Sequence, residues 1–195
     1  MSNKRPPSDR GLIPKLSETL QETVAAREAS GESILRSWCE RLGTEWSKRH
    51  NALTLDAAVS VMNADRANLQ IAHGERLILK SHHGFTKAFL DYFKVVDHEK
   101  TCCLVAWKTQ RAIHVQDIMT SPHFSKSARE VLLMDGIRAV SSAPLVTDSG
   151  RRIGVLSVHY CRPAAMYVKD LSRFRRLAKY IAELVDQRLS RHRSK

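Results

Sequence analysis

No stretch of this chain approaches the roughly 20 consecutive apolar residues needed to cross a bilayer. The basic start MSNKRPPSDRGLIPK is not followed by the apolar core of a secretion signal, so a soluble cytoplasmic protein is expected. Cysteine is sparse. The four residues at 39, 102, 103 and 161 contain no CxxC pair, which excludes a disulfide framework or cysteine-based zinc site and points to reduced thiols. None of the nine histidines pairs with another at the spacing of one helical turn. His82 and His83 are adjacent, and in a strand they would point to opposite faces, so no metal site is expected, nor any cofactor. Three of the six prolines fall in the first 15 residues, which read as a disordered basic arm.

What is present is enough for a core: 43% of the 195 residues are hydrophobic, which rules out wholesale disorder. The length suits one domain with helical extensions. The net charge of +12 is uneven, because residues 166–195 hold nine basic and three acidic side chains and so carry half of it. The basic tail, 191–195 above all, could touch an acidic partner. No aromatic stacking motif or recognition helix accompanies it, so nucleic acid is not an expected partner.

Periodicity divides the chain. Leu16, Leu20 and Val24, then Ile34, Trp38, Leu42 and Trp46, step at helical spacing and predict a helical extension over 16–50. A helix is expected over Asn51–Asn63, with Leu55, Ala58, Val59 and Met62 inward. The period then drops to two, and 65–82 reads as a β-hairpin turning at His73-Gly74-Glu75. Phe85, Phe89, Leu90 and Phe93 return to helical spacing. A short helix over 101–110, a strand over 112–115 and a helix over 125–135 ended by Gly136 follow. A second hairpin pairs 138–146 with 153–160, and 170–189 is the strongest amphipathic helix. Hairpins demand antiparallel pairing, so an α+β domain with one central antiparallel sheet is expected over 51–190.

The segments ADRANLQI (64–71), HGFTKAFLDYF (83–93), Cys103 with Ala106, VQDIMTSPHF (115–124), GIRAVSSAPL (136–145) and GVLSVHY (154–160) stand in a telling order. In series they resemble a GAF domain, above all the bacterial subgroup found alone or beside sensor histidine kinase modules. That resemblance implies a PAS-related sheet of five or six strands flanked by helices, with the first and last helices packed together. It also implies a sensory or dimerising signalling module, binding an unidentified small molecule or a signalling protein partner, rather than an enzyme. Leu104 stands where the subgroup has Gly, Ser141 where it has Gln, and Ala143 and Val158 where it has Thr. The last three read as changed positions in or beside the pocket walls.

Strand alternation puts Asn68 with Gln70, Ser157 with His159, and Arg138 with Ser142 on common faces. With Phe93, Cys103, Trp107, Asp117 and Phe124 they form the candidate pocket. The same stripe could instead be satisfied structurally beneath helices. Asp117 and Arg138 are expected to form a buried pair that positions the 111–124 loop. Ser157 and His159 lack a third partner, and no catalytic residue is assigned. Surplus apolar area on the terminal helices suggests a homodimer. The alternatives are a cysteine-dependent small enzyme or redox sensor using Cys102 or Cys103, and a nucleic-acid-associated regulator or structural adaptor using the basic C-terminal helix.

Overall fold

Helical spacing of Leu55, Ala58 and Met62 gives the first described helix, α1 (Lys48–Met62), a buried stripe. The computed structural model describes residues 48–98 and 100–193, so the arm over 1–15 and the stripes from Leu16 to Trp46 lie outside the described residues. Asn63, in the left-handed region at φ 47°, turns the chain into β1 (Arg66–His73). A two-residue turn with Gly74 at φ +64° leads to β2 (Arg76–His83). The chain continues through α2 (Lys87–Tyr92), β3 (Val95–Val96), α3 (Cys102–Thr109) and β4 (Ile113–Val115). It ends with α4 (Lys126–Met134), β5 (Ala139–Val146), β6 (Arg152–Tyr160) and the 26-residue α5 (Val168–Arg193). No helix among the described residues is long and apolar enough to cross a membrane.

Three short helices start on hydroxyl caps. Thr86, Thr101 and Ser125 accept hydrogen bonds from the amides of Phe89, Leu104 and Ala128, each satisfying a backbone donor that the helix leaves free. Gly136 at φ +77° closes α4, its N–H donating to the Leu133 carbonyl at 2.9 Å.

The six strands run in the order β3-β2-β1-β6-β5-β4 and every pairing is antiparallel. Two hairpins, β1–β2 and β5–β6, are thus joined through a central β1–β6 seam. Helices α1 and α5 touch each other and cover one face, over Ala67, Leu69, Leu156, Val158 and Tyr160. On the other face Phe89, Phe93, Leu104, Trp107, Ile118, Phe124 and Leu132 pack over Val140 and Val155. Register assigns Ser141, Ala143 and Val158 to the α1/α5 face, alternate to Val140, Ser142 and Ser157. Their expected place beside the pocket is therefore wrong: they are core positions under the terminal helices. Strand β3 was not anticipated, because two residues are too few to show a period.

Gly154 makes the seam possible. It pairs with Ile71, and a Cβ there would lie 2.0 Å from the Gln70 carbonyl oxygen, inside two backbones that cannot part without breaking the ladder. Gly150, at φ +79° in the β5–β6 loop, faces open space. Gly154→Ala should therefore cost at least about 2 kcal/mol in urea unfolding. Gly150→Ala should cost about 1 kcal/mol, from left-handed backbone strain alone. Equal losses would contradict the close crossing.

Candidate functional site

The inner face opposite α1 and α5 carries polar side chains where a filled core would carry aliphatic ones. Asn68 and Gln70 project from β1, Ser142 from β5, and Ser157 and His159 from β6, and all are buried. Ser142 and Ser157 are register partners, and their hydroxyls hydrogen-bond at 2.7 Å. These residues meet Phe89 of α2 and Phe93 just after it, Thr101, Cys102 and Cys103 at the start of α3, and Phe124 around a cavity of about 20 Å³. That is room for about one water, since a site needs some 10–15 Å³ of such space to hold one.

Eight of the eleven expected site residues line this cavity: Asn68, Gln70, Phe93, Cys103, Phe124, Ser142, Ser157 and His159. The structure places the other three elsewhere. Trp107 sits one turn along α3, its ring 4.4 Å from the Arg152 guanidinium, which also donates to the Trp107 carbonyl at 3.1 Å. Arg138 binds Asp117 in two-pronged fashion at 2.8 and 3.3 Å, beyond the end of the polar row. Their side chains are 35% and 25% exposed, so the expectation of a buried pair is corrected. Hydrogen bonding by Arg138 holds the Asp117 carboxyl below its usual range, and the pair pins the 116–124 loop to the start of β5. Phe89, Thr101, Leu132 and Val140 also line the cavity and were not in the expected pocket, nor was Cys102, which entered only with the thiol alternative. Val140 was recoverable from alternation, since it lies between Arg138 and Ser142.

His159 is the electrostatic centre of the site. Burial, reinforced by the charge of Arg66, pushes its pKa down to about 3, so the ring is neutral. Its Nε2 lies 3.3 Å from Asn68 Oδ1, an acceptor, so the proton is assigned to Nε2 and Nδ1 carries a lone pair. Phe85 and Phe89 meet the ring edge-on, at 5.0 and 5.7 Å between centroids. Arg66 is held by the buried carboxylate of Asp135, which also accepts the Thr86 N–H at 3.1 Å. One carboxylate thereby fixes the start of β1 and the approach to α2.

The thiols are held in their protonated form. Burial pushes Cys102 up to about 12 and raises Cys103, whose sulfur lies 3.3 Å from Thr101 Oγ1. Desolvation outweighs the activating effect of the helix start. Among the described residues no group of three or more His, Cys, Asp or Glu could hold a metal.

A residue absent from the expected set links the two layers. His114 on β4 points to the α1/α5 face, where Nδ1 meets Ser141 Oγ at 2.8 Å and Nε2 meets the Ala164 carbonyl at 2.7 Å. The carbonyl only accepts, so Nε2 donates to it and Nδ1 accepts from Ser141. The Ala164 N–H donates in turn to the Gln116 carbonyl at 3.0 Å. The segment leading into α5 is thus tied to the strand and loop that follow α3.

A GAF domain family model matches residues 52–187. A domain of a Sinorhizobium meliloti protein described as a two-component sensor histidine kinase is 21% identical, covering 74% of this chain and 94% of its own, with a TM-score of 0.60. The GAF domain of a Coxiella burnetii phosphoenolpyruvate-protein phosphotransferase is 13% identical, covering 83% and 96%, with a TM-score of 0.68. Free methionine-R-sulfoxide reductase of Neisseria meningitidis, solved with its substrate, is 18% identical, covering 82% and 90%, at 0.64. No curated protein matches the chain. At these identities the solved structures speak to fold alone.

The neutral His159 makes stability depend on pH. Below the ordinary value of 6.5 the unfolded imidazole takes a proton that the folded ring refuses until about pH 3, so its stabilising share is lost on acidification across that window. Urea midpoints measured from pH 7 to 4 should fall, and His159→Asn should reduce the proton uptake on unfolding by close to one. An unchanged uptake would show that His159 titrates normally.

Proposed function

This chain belongs to the GAF domain family of sensory and signalling domains, and on that footing we propose that it is a non-catalytic sensor working through the Asn68–Gln70–His159 cavity. A small molecule taken up there, or a partner protein, shifts the 94–124 segment, and α5 carries the change to a homodimer interface or signalling partner. One observation carries the reading. Gln70 Nε2 and Oε1 and His159 Nδ1 are buried at the cavity without hydrogen-bond partners among the protein's own groups, a concentration of unmet polar atoms that a ligand entering there would meet. Each unpartnered group costs about 1–3 kcal/mol, which a ligand would recover.

The cavity is small because Phe89 and Phe93 fill the space above the sheet. Phe89 belongs to the six-residue α2 and Phe93 caps its C-terminal end, and Lys87, Ala88 and Asp91 of the helix are exposed, so uptake requires this short helix and its cap to move outward. The relay runs through His114 and Gln116, which join the segment after α3 to the approach of α5. Half-buried Leu171, Leu184 and Leu189, with Tyr180 exposed, leave apolar area on α5 for a second copy. Free thiols at Cys102, Cys103 and Cys161 are in keeping with a cytoplasmic setting.

Thiol chemistry at the cavity is disfavoured by the raised pKa of both of its cysteines. A second reading, a structural adaptor, has one observation in its favour: the interior is already close to filled by Phe89, Phe93 and Phe124.

Native mass spectrometry of the freshly purified full chain should show a dimer carrying extra non-protein mass. A bare species that gains no mass from a cell extract would favour the adaptor. His114→Ala should leave uptake intact while abolishing the ligand-dependent change in amide exchange along α5. Unaltered exchange coupling would reject the His114 relay.

A further inference from the structure

A second cavity lies on the sheet face that α1 and α5 cover, away from Gln70 and His159. Its volume is about 340 Å³, inside the roughly 300–1,000 Å³ range of small-molecule sites and far above that of the inner cavity. The end of α1 forms one side, the 162–166 segment and the first two turns of α5 another, and His114 and Tyr160 of the sheet complete it. The segment leading into α5 is fixed at two points. The Cys161 N–H donates to Asp65 at 2.7 Å, and Ala164 is held through its N–H by the Gln116 carbonyl and through its carbonyl by His114 Nε2. Arg162 stands between these anchors, exposed and without an ion-pair partner among the described residues.

The other ionisable groups of the lining are already engaged. Asp170 accepts the Tyr167 N–H at 3.2 Å and lies 3.9 Å from Arg173, which has further contacts of its own. Both His114 nitrogens are bonded, and burial lowers its pKa, so the ring is neutral. Burial pushes the Tyr160 hydroxyl up to about 12, and it donates to the Met62 carbonyl at 3.3 Å. Asp65, whose charge reaches Tyr160, lies outside the lining. Among the described residues the uncommitted charge of this cavity is thus the Arg162 guanidinium. A cation would meet no free carboxylate, and a dianion would bring more charge than Arg162 balances. Val61, Met62, Pro163 and Met166 add apolar wall.

We propose that this cavity binds a small monoanionic carboxylate with an apolar body, its charge on Arg162 and its body against Met62 and Met166. A guanidinium fork grips a carboxylate through two parallel N–H···O bonds. Ala164 lines the same cavity, so the bound molecule bears on the residue that ties the approach of α5 to His114. The site gives α5 an input on the opposite face of the sheet from Gln70 and His159.

Benzoate tests this on the full chain, beside neutral benzamide, acetate without the apolar body and dianionic phthalate. Binding is read from the backbone amide signals of Arg162 and Ala164 and the imidazole signals of His114. Benzoate should move them, bind about tenfold more tightly than any of the other three, and weaken as sodium chloride is raised. Arg162→Gln, at an exposed position, should leave the urea midpoint unchanged and reduce benzoate affinity to that of benzamide. Ala165→Trp, which adds bulk at the exposed rim, should block benzoate. Equal affinity for benzoate and benzamide, or undiminished benzoate binding by Arg162→Gln, would overturn the carboxylate assignment. Phthalate binding more tightly than benzoate would overturn the single-charge match. Silence of all four probes, or benzoate binding that survives Ala165→Trp, would overturn the site. None of these failures touches the inner cavity, whose reading is decided by copurified mass.

Discussion

Everything at the site hangs from the antiparallel seam between β1 and β6. It joins two hairpins that each form from local contacts, and the opposing backbones approach so closely at Gly154 that no side chain fits. The same register sets Asn68 opposite Ser157 and brings His159 across from Arg66. A slip of one residue would set Asn68 and Gln70 on the opposite face from Ser142, Ser157 and His159, sending one of the two groups into the α1/α5 core. The seam therefore defines both the architecture and the chemistry of the inner face.

That face holds two tendencies in tension. Aromatic rings from α2 and the 116–124 loop close it almost completely, as hydrophobic burial favours. Beneath them the sheet keeps polar groups that the rings cannot satisfy. Asp135 stabilises the arrangement from the side, holding Arg66 and the Thr86 amide at the point where the chain enters α2. The helix is anchored at its start by this carboxylate, and over its turn and a half it buries Phe89 while Lys87, Ala88 and Asp91 stay exposed.

Hairpins, the long amphipathic helix and the polar alternation on β1, β5 and β6 were legible because each rests on a local period. The Asn68/Gln70 and Ser157/His159 faces needed only the pleat. Other features needed distance information that no period contains. Cys103 and Trp107 share a helix face, yet only the N-terminal end of α3 reaches the cavity. Asp117 and Arg138 were paired correctly, but their exposure depends on where the loop leaves the sheet edge. Whether Ser141, Ala143 and Val158 faced the cavity or the terminal helices was a question of parity, settled by the register of β5 on β6. His114 escaped notice because its partners are 27 and 50 residues away and one of them is a backbone carbonyl.

The unpartnered Gln70 and His159 atoms also bear on how long the molecule survives in a cell. Groups left unsatisfied inside a domain lower its folding free energy, and proteases draw on the unfolded fraction. Any compound that satisfies them raises the folded fraction by mass action, in proportion to its concentration over its dissociation constant. Abundance then becomes a slow record of exposure to that compound, accumulating over the protein's lifetime and requiring no downstream signal at all.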